Sequence, residues 1–264
     1  MTAQELNDYL VSLVKVDIKD SVDRVIVGDP QTRVRKIGTC WLPYWDTLKE
    51  AARKGVNVIV THEPTFYHHF DLQARDRTYP EQIRAKRKWI LDHRMVIIRT
   101  HDMMDAAGAP FGIPFAWGGA LGFKPSDMAW TQKYMNVYSV RPAKARAVAR
   151  RLARRLAAMH QPGVAFYGDP DRTVRTVGVG TGCYADPKRM RRKPDLFVAV
   201  DDSIFTWCQT TYSKDTGYPL VVVNHGTSEE AGMMKLRDHL AATFPRIACL
   251  HFPQGCTYDW ISGV

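Results

Sequence analysis

Apolar positions along this chain fall into two kinds of segment that alternate. Short Val/Ile-rich runs with little polar interruption occur at Val25–Val27, Val34–Cys40, Val56–Val60, Met95–Ile98, Tyr134–Val140, Val174–Val179, Asp195–Val200 and Leu220–Val223. Such runs predict strands buried on both faces of a sheet, as in parallel sheets covered by helices. Between them lie stretches with helical spacing. Residues 1–20 put Leu6, Leu10 and Leu13/Val14 on one face. Asp46–Lys54 turns Leu48, Ala51 and Ala52 inward and closes on Gly55, while Pro80 opens a helix over Glu81–His93 with Ile83, Ile90 and Leu91 inward. A helix opened by Arg141-Pro142 carries Ala145, Val148, Ala149, Leu152 and Leu156 as one stripe beneath Arg146, Arg150, Arg151, Arg154 and Arg155. The Gly/Pro/Ala-rich stretch Ala106–Gly119 predicts an irregular loop, and the glycine run Gly178–Gly182 lacks dinucleotide-binding spacing and predicts a tight turn.

Strand–helix–strand alternation makes the fold class α/β. A natural divide between Gly122 and Ser139 predicts two interlocked α/β subdomains, residues 1–130 and 131–264, with a metal cleft between them.

Three of the strands share a plan. Val56–Val60 runs through Thr61 into His62 and Glu63; Met95–Thr100 runs into His101 and, four residues on, Asp105; Leu220–Asn224 runs into His225 and, four residues on, Glu229. Ligands of open α/β sheets sit beyond the carboxyl ends of the strands, so the pattern predicts imidazoles and acids gathered at one rim, a donor set suited to metal ions. Beyond His225, Thr227-Ser228-Glu229-Glu230 reads as a capping box that leaves Glu229 free of a capping role. His68 and His69 lie in an aromatic loop beside the first motif.

Composition adds bounds. The chain has 264 residues, 45% of them hydrophobic, and no apolar run long enough for a membrane span or a signal peptide, which predicts a cytoplasmic protein. Five cysteines, an odd number without a Cys-x-x-Cys pair, argue against a disulfide scaffold and a thiolate zinc site and predict reduced, mostly buried thiols. The net charge of +10 is concentrated in Lys144–Arg155 and Lys188–Lys193 and favours anionic partners. No aromatics interleave with the arginines of the first stretch, which weakens nucleic-acid binding there.

Taken together, Thr61-His62-Glu63-Pro64, His101-x-x-x-Asp105 and His225-x-x-x-Glu229 resemble the three signature segments of the Nif-three-like family of dinuclear metal-centre proteins, the type-two GTP cyclohydrolase homologues. The resemblance covers nearly the whole chain. It implies two divalent ions (Zn, Fe, Mn or Co) in a cleft between two α/β subdomains, and assembly of the chain as a toroidal hexamer. On that resemblance His62, Asp105, His225 and Glu229 correspond to metal ligands, with Asp105 or Glu229 bridging, and His101 to a histidine beside the metals, a catalytic proton shuttle or a third-site ligand. Glu63 replaces the second histidine of the first segment and enters the ligand set as a harder donor; Asp102-Met103 replaces a Thr-Asn pair. The implied activity is metal-dependent, cyclohydrolase-like hydrolysis of a small anionic or nucleotide-like substrate. The alternatives are a non-catalytic metal storage, delivery or sensing protein, and a basic scaffold that binds nucleic acid.

Overall fold

The Val/Ile runs form two separate sheets in the computed structural model, which describes residues 1–14, 21–71, 79–261 and 263. In chain order the elements are α1 (Ala3–Ser12), β1 (Arg24–Val27), β2 (Lys36–Cys40), α2 (Trp45–Arg53), β3 (Val58–Thr61), α3 (Pro80–Asp92), β4 (Val96–Arg99) and α4 (Asp102–Ala106). Next come α5 (Ile113–Ala120), β5 (Met128–Gln132), β6 (Met135–Lys144), α6 (Ala145–Leu156), β7 (Ala165–Tyr167) and β8 (Thr173–Gly180). The chain ends with β9 (Leu196–Val200), α7 (Thr211–Thr216), β10 (Leu220–Val223), α8 (His225–Thr243) and β11 (Ala248–His251). These elements make two compact units, one of Met1–Gly112 with Met233–Pro253, the other of Ile113–Gly232 with Gln254–Val264.

In the first unit the strand order is β1-β4-β3-β2-β11. The last four strands run parallel, and β1 is added antiparallel at the edge. Every residue of β3 and β4 is buried, as the unbroken apolar runs require. One face of the sheet packs Ile59 and Ile97 against Leu48 and Ala51 of α2 and Ile90 of α3. Leu91 was expected inward but is exposed, because the helix spends its buried face on Ile90 and Lys86. Thr2 and Glu5 form a reciprocal capping box that starts α1, which buries Ala3, Leu6 and Leu10 and stops at Ser12. The rest of the expected N-terminal helix, from residue 15 to residue 20, lies outside the described residues.

The second unit holds a mixed sheet in the order β5-β6-β8-β9-β10-β7, with β8, β9 and β10 parallel at its centre. The predicted stripe of α6 is buried residue for residue. The helix nevertheless starts at Ala145 rather than at Arg141-Pro142, because β6 continues through that pair. A register shift between Ser139 and Ala143 passes over the proline, which has no amide to give the ladder. The stretch read as an irregular loop over Ala106–Gly119 also differs: Ile113–Ala120 is α5, with Ile113 and Trp117 fully buried. Its helical spacing is masked by Pro114, which an N-terminal turn tolerates. The cysteines are less buried than expected, Cys40 being in the core and Cys183 exposed. No helix among the described residues is long and apolar enough to cross a membrane.

Candidate metal centre

Within the first unit, β3 and β4 are parallel neighbours, so the residues that follow them emerge side by side. The rings of His62 and His101 stack with centroids 4.5 Å apart and an interplanar angle of 11°. His62 is fully buried, and its Nδ1 lies 3.3 Å from the Thr100 carbonyl oxygen. That contact assigns the proton to Nδ1 and leaves the Nε2 lone pair directed inward, 3.9 Å from Asp105 Oδ1. Asp105 Oδ2 is 3.7 Å from His101 Nδ1, and Glu63 Oε1 is 3.8 Å from His101 Nε2. His62, His101 and Asp105 each offer one ligand atom, all within 4.8 Å of one another.

Asp105 is presented by α4, and Asp23 holds that helix in place. Its carboxylate accepts from the backbone N–H groups of His101 (2.5 Å), Asp102 (3.0 Å) and Met103 (2.7 Å). Asp102 returns the contact by accepting from Val22 N at 3.0 Å. Burial works to raise the Asp102 carboxyl, but hydrogen bonds from His101 and Val22 outweigh it and hold the group well below the usual carboxylate range.

The loop behind His62 is fixed by three buried charges. Arg99, the last residue of β4, donates from Nε to the His62 carbonyl at 3.0 Å and from Nη1 to the His69 carbonyl. Its Nη2 lies 3.4 Å from Glu63 Oε2, and its Nη1 lies 3.8 Å from Asp71 Oδ2. Asp71 Oδ1 accepts from the N–H groups of Thr65 and Phe66 at 2.8 and 2.7 Å. Burial raises the Asp71 carboxyl and lowers Arg99, each partly offset by the other's charge. Lys86 donates to the Thr65 carbonyl at 3.0 Å and is only 3% exposed. His69 stands edge-on to His101 at 5.4 Å, whereas His68 turns to the Phe70 N–H. Burial, then the Arg99 charge, lower the His69 imidazole.

In the second unit the parallel strands β8, β9 and β10 end at Gly180, Val200 and Val223, just before Gly182, Asp201/Asp202 and His225. His225 and Glu229 are one helical turn apart on α8, and Nε2 is 3.0 Å from Oε2 of the carboxylate, which is buried. Asp202 Oδ2 lies 2.7 Å from His225 Nδ1, which places Nε2 on the side of Glu229. The His225 hydrogen bond holds Asp202 below the usual carboxylate range. Asp201 accepts from the His225 N–H at 3.0 Å and from the Asn224 side-chain amide at 3.0 Å, which fixes the helix start. The expected capping box is not formed. The helix begins at His225, two residues earlier, and Glu230 instead accepts from the N–H groups of Gln254 and Gly255. The tight turn expected over Gly178–Gly182 is confined to its end, because β8 continues through Gly180. Gly182 has φ +54°, and a Cβ there would sit 2.8 Å from Glu229 Oε1, so the backbone approaches the acid at that residue. The motif strands β3 and β4 belong to one sheet and β10 to the other, so the three do not share the rim of a single sheet.

The model of the Duf34/NIF3 (NGG1p interacting factor 3) family matches residues 1–253. The chain belongs to that family. This Duf34/NIF3 protein is 22% identical over 240 residues to a "GTP cyclohydrolase 1 type 2 homolog" of Chlamydia pneumoniae, a match that spans 83% of the chain and 84% of the relative. It is 28% identical over 166 residues to the protein of that name in Streptomyces coelicolor, covering 60% of this chain and 56% of that one. Its fold matches the crystal structure of the Staphylococcus aureus hypothetical protein SA1388 with a TM-score of 0.80 at 16% identity, over 99% of both chains.

Sequence reasoning missed Asp23, Asp71, Arg99 and Asp202 in this Duf34/NIF3 protein. Arg99 alone left a signal, since an arginine closing a buried Val-Ile-Ile run requires a partner. Lys86 supplies a pH test of the loop. Burial lowers its ammonium from 10.5 to about 8. The unfolded chain therefore binds more protons between those values, and the cost of charging Lys86, about 3 kcal/mol, is present below pH 8 and vanishes as pH rises to 10.5. Urea titrations of the wild type and Lys86→Met across that range are expected to show the difference shifting toward the wild type with rising pH. A constant difference would exclude the shift.

Proposed function

We propose that this protein holds two divalent ions through His62, Glu63, Asp105, His225 and Glu229, and uses them in hydrolysis of a small anionic, nucleotide-like substrate. The observation that carries the reading recurs independently in each unit. A histidine is tethered through Nδ1 to an oxygen acceptor, and its Nε2 is left facing a carboxylate, at 3.9 Å for His62–Asp105 and 3.0 Å for His225–Glu229. That is how proteins prepare imidazole as a metal ligand and fix its tautomer. The nitrogen and oxygen donors suit Zn, Fe, Mn or Co.

When bound, such ions polarise a substrate oxygen and lower the pKa of water. The residues of the chain supply the rest. His101 touches both Asp105 and Glu63 and is the group in reach to move a proton at the reacting atoms. Glu63 keeps Oε1 toward His101 while Oε2 is anchored by Arg99. The name of the relatives makes guanine nucleotides the first substrates to try, and assembly as a homo-oligomer, the toroidal hexamer, belongs to the same reading. Glu63 in place of a histidine favours a second reading, a metal carrier or sensor without turnover.

Elemental analysis of the purified protein is expected to find two ions per chain, with His62→Ala and Glu229→Ala each losing at least tenfold in affinity at unchanged circular dichroism. Full retention of metal by both variants overturns the centre. Protein loaded with Mn, Fe, Co or Zn that binds but never turns over guanine nucleotides or cyclic amidines decides for the carrier.

A further inference from the structure

The second basic stretch of the sequence, Lys188–Lys193, is arranged on the second unit in a way that its charge alone does not explain. Gln132 of the edge strand β5 clamps the stretch through its side-chain amide. Its Nε2 donates to the Arg189 carbonyl at 2.6 Å, and its Oε1 accepts from the Arg191 N–H at 3.0 Å. Trp130, two residues earlier and so on the same face of β5, lies beneath the Arg192 guanidinium, 4.2 Å from its centre. The guanidinium of Arg189 lies over Tyr184 at 4.4 Å, and Lys133 reaches the same ring at 5.3 Å. Lys193 lies over Tyr212 at 4.2 Å. Cation–ring pairs occur roughly once per 70–80 residues in proteins, so their concentration along one six-residue stretch marks this surface out. Lys188 pairs with Asp186 at 3.2 Å, but no carboxylate oxygen among the described residues lies within 4.0 Å of Arg189, Arg191, Arg192 or Lys193, and all four are exposed.

We propose that the surface formed by Lys188–Lys193 with Trp130, Lys133, Tyr184 and Tyr212 binds single-stranded nucleic acid. Guanidinium groups held over rings are already ordered, so little side-chain entropy remains to be lost when they meet phosphate. Their outer faces and the neighbouring rings offer stacking surfaces to unpaired bases, which a duplex keeps inside its own stack. This combination of cations with aromatic faces separates the surface from α6, whose arginines have no ring partner among the described residues. The inference does not depend on the metal centre.

The test measures fluorescence anisotropy of a labelled oligothymidylate with the full chain. Binding is expected to fall with salt, with a log–log slope of about −3 if four phosphates are neutralised. Arg189→Ala with Arg192→Ala is expected to weaken binding at least tenfold, and Trp130→Ala about tenfold. Arg150→Glu with Arg154→Glu on α6 is expected to change it less than threefold. Absence of binding at low salt overturns the proposal. So does equal loss on α6, or competition by polyglutamate as effective as that by unlabelled oligonucleotide, which would show a surface selecting charge alone. Because the substituted arginines are exposed, a melting temperature equal to that of the wild type is expected and excludes misfolding as the cause of a loss.

Discussion

Replacement of Arg99 by methionine is expected to lower the unfolding free energy by about 3–5 kcal/mol. The guanidinium is fully buried at the end of β4, where it meets the carbonyls of His62 and His69 and the carboxylates of Glu63 and Asp71. Methionine fills a similar volume but removes the guanidinium between two acids that are themselves buried. What destabilises the variant is less the lost attraction than the uncompensated charge left in low dielectric. Urea denaturation measures the loss, and adding Asp71→Asn to Arg99→Met is expected to recover part of it, since a neutral amide needs no counter-charge. A single variant within about 0.5 kcal/mol of the wild type, the size expected of a surface substitution, would mean that Arg99 is not holding the loop.

The second large effect is expected at Asp23. Its carboxylate takes three consecutive backbone N–H groups at the start of α4, the helix that carries Asp105. Asp23→Ala removes charge-assisted hydrogen bonds worth roughly 1.5–3 kcal/mol each in favourable cases, of which water recovers a part. The expected net loss is about 2–3 kcal/mol, above an ordinary cap because three donors share one acceptor. Metal affinity is expected to fall at least tenfold in parallel, because the helix that aims Asp105 loses its anchor. Asp23→Asn keeps an acceptor oxygen and is expected to retain more of both properties. If Asp23→Ala lowered stability but left metal affinity untouched, α4 would be held by other contacts.

Much of this architecture is legible along the chain. The Val/Ile runs at Val58–Thr61, Val96–Arg99 and Leu196–Val200 are buried throughout because nothing polar interrupts them. The α6 stripe is legible for the same reason. What misleads is composition read without period: the Gly/Pro/Ala content around Ile113 hides α5, and Thr-Ser-Glu-Glu after His225 imitates a capping box although the helix has already begun. In the candidate site, the pairing of His225 with Glu229 follows from a spacing of four on one helix. That of His62 with His101 requires β3 and β4 to be neighbours.

The sequence by itself determined that β3, β4 and β9 are buried throughout and that a histidine and an acid follow three of the strands, because both properties are local. By contrast β1, β6 and β8, expected to be buried on both faces, have half-buried or exposed positions. Only the tertiary structure decided that Asp23 caps α4, that Arg99 lies between Glu63 and Asp71, that Asp202 orients His225, and that Gln132 clamps the Lys188–Lys193 stretch. Each of these is a hydrogen bond or ion pair between segments far apart along the chain. A polar group finds such a partner by proximity after folding, and proximity of that kind leaves no repeat in the order of residues.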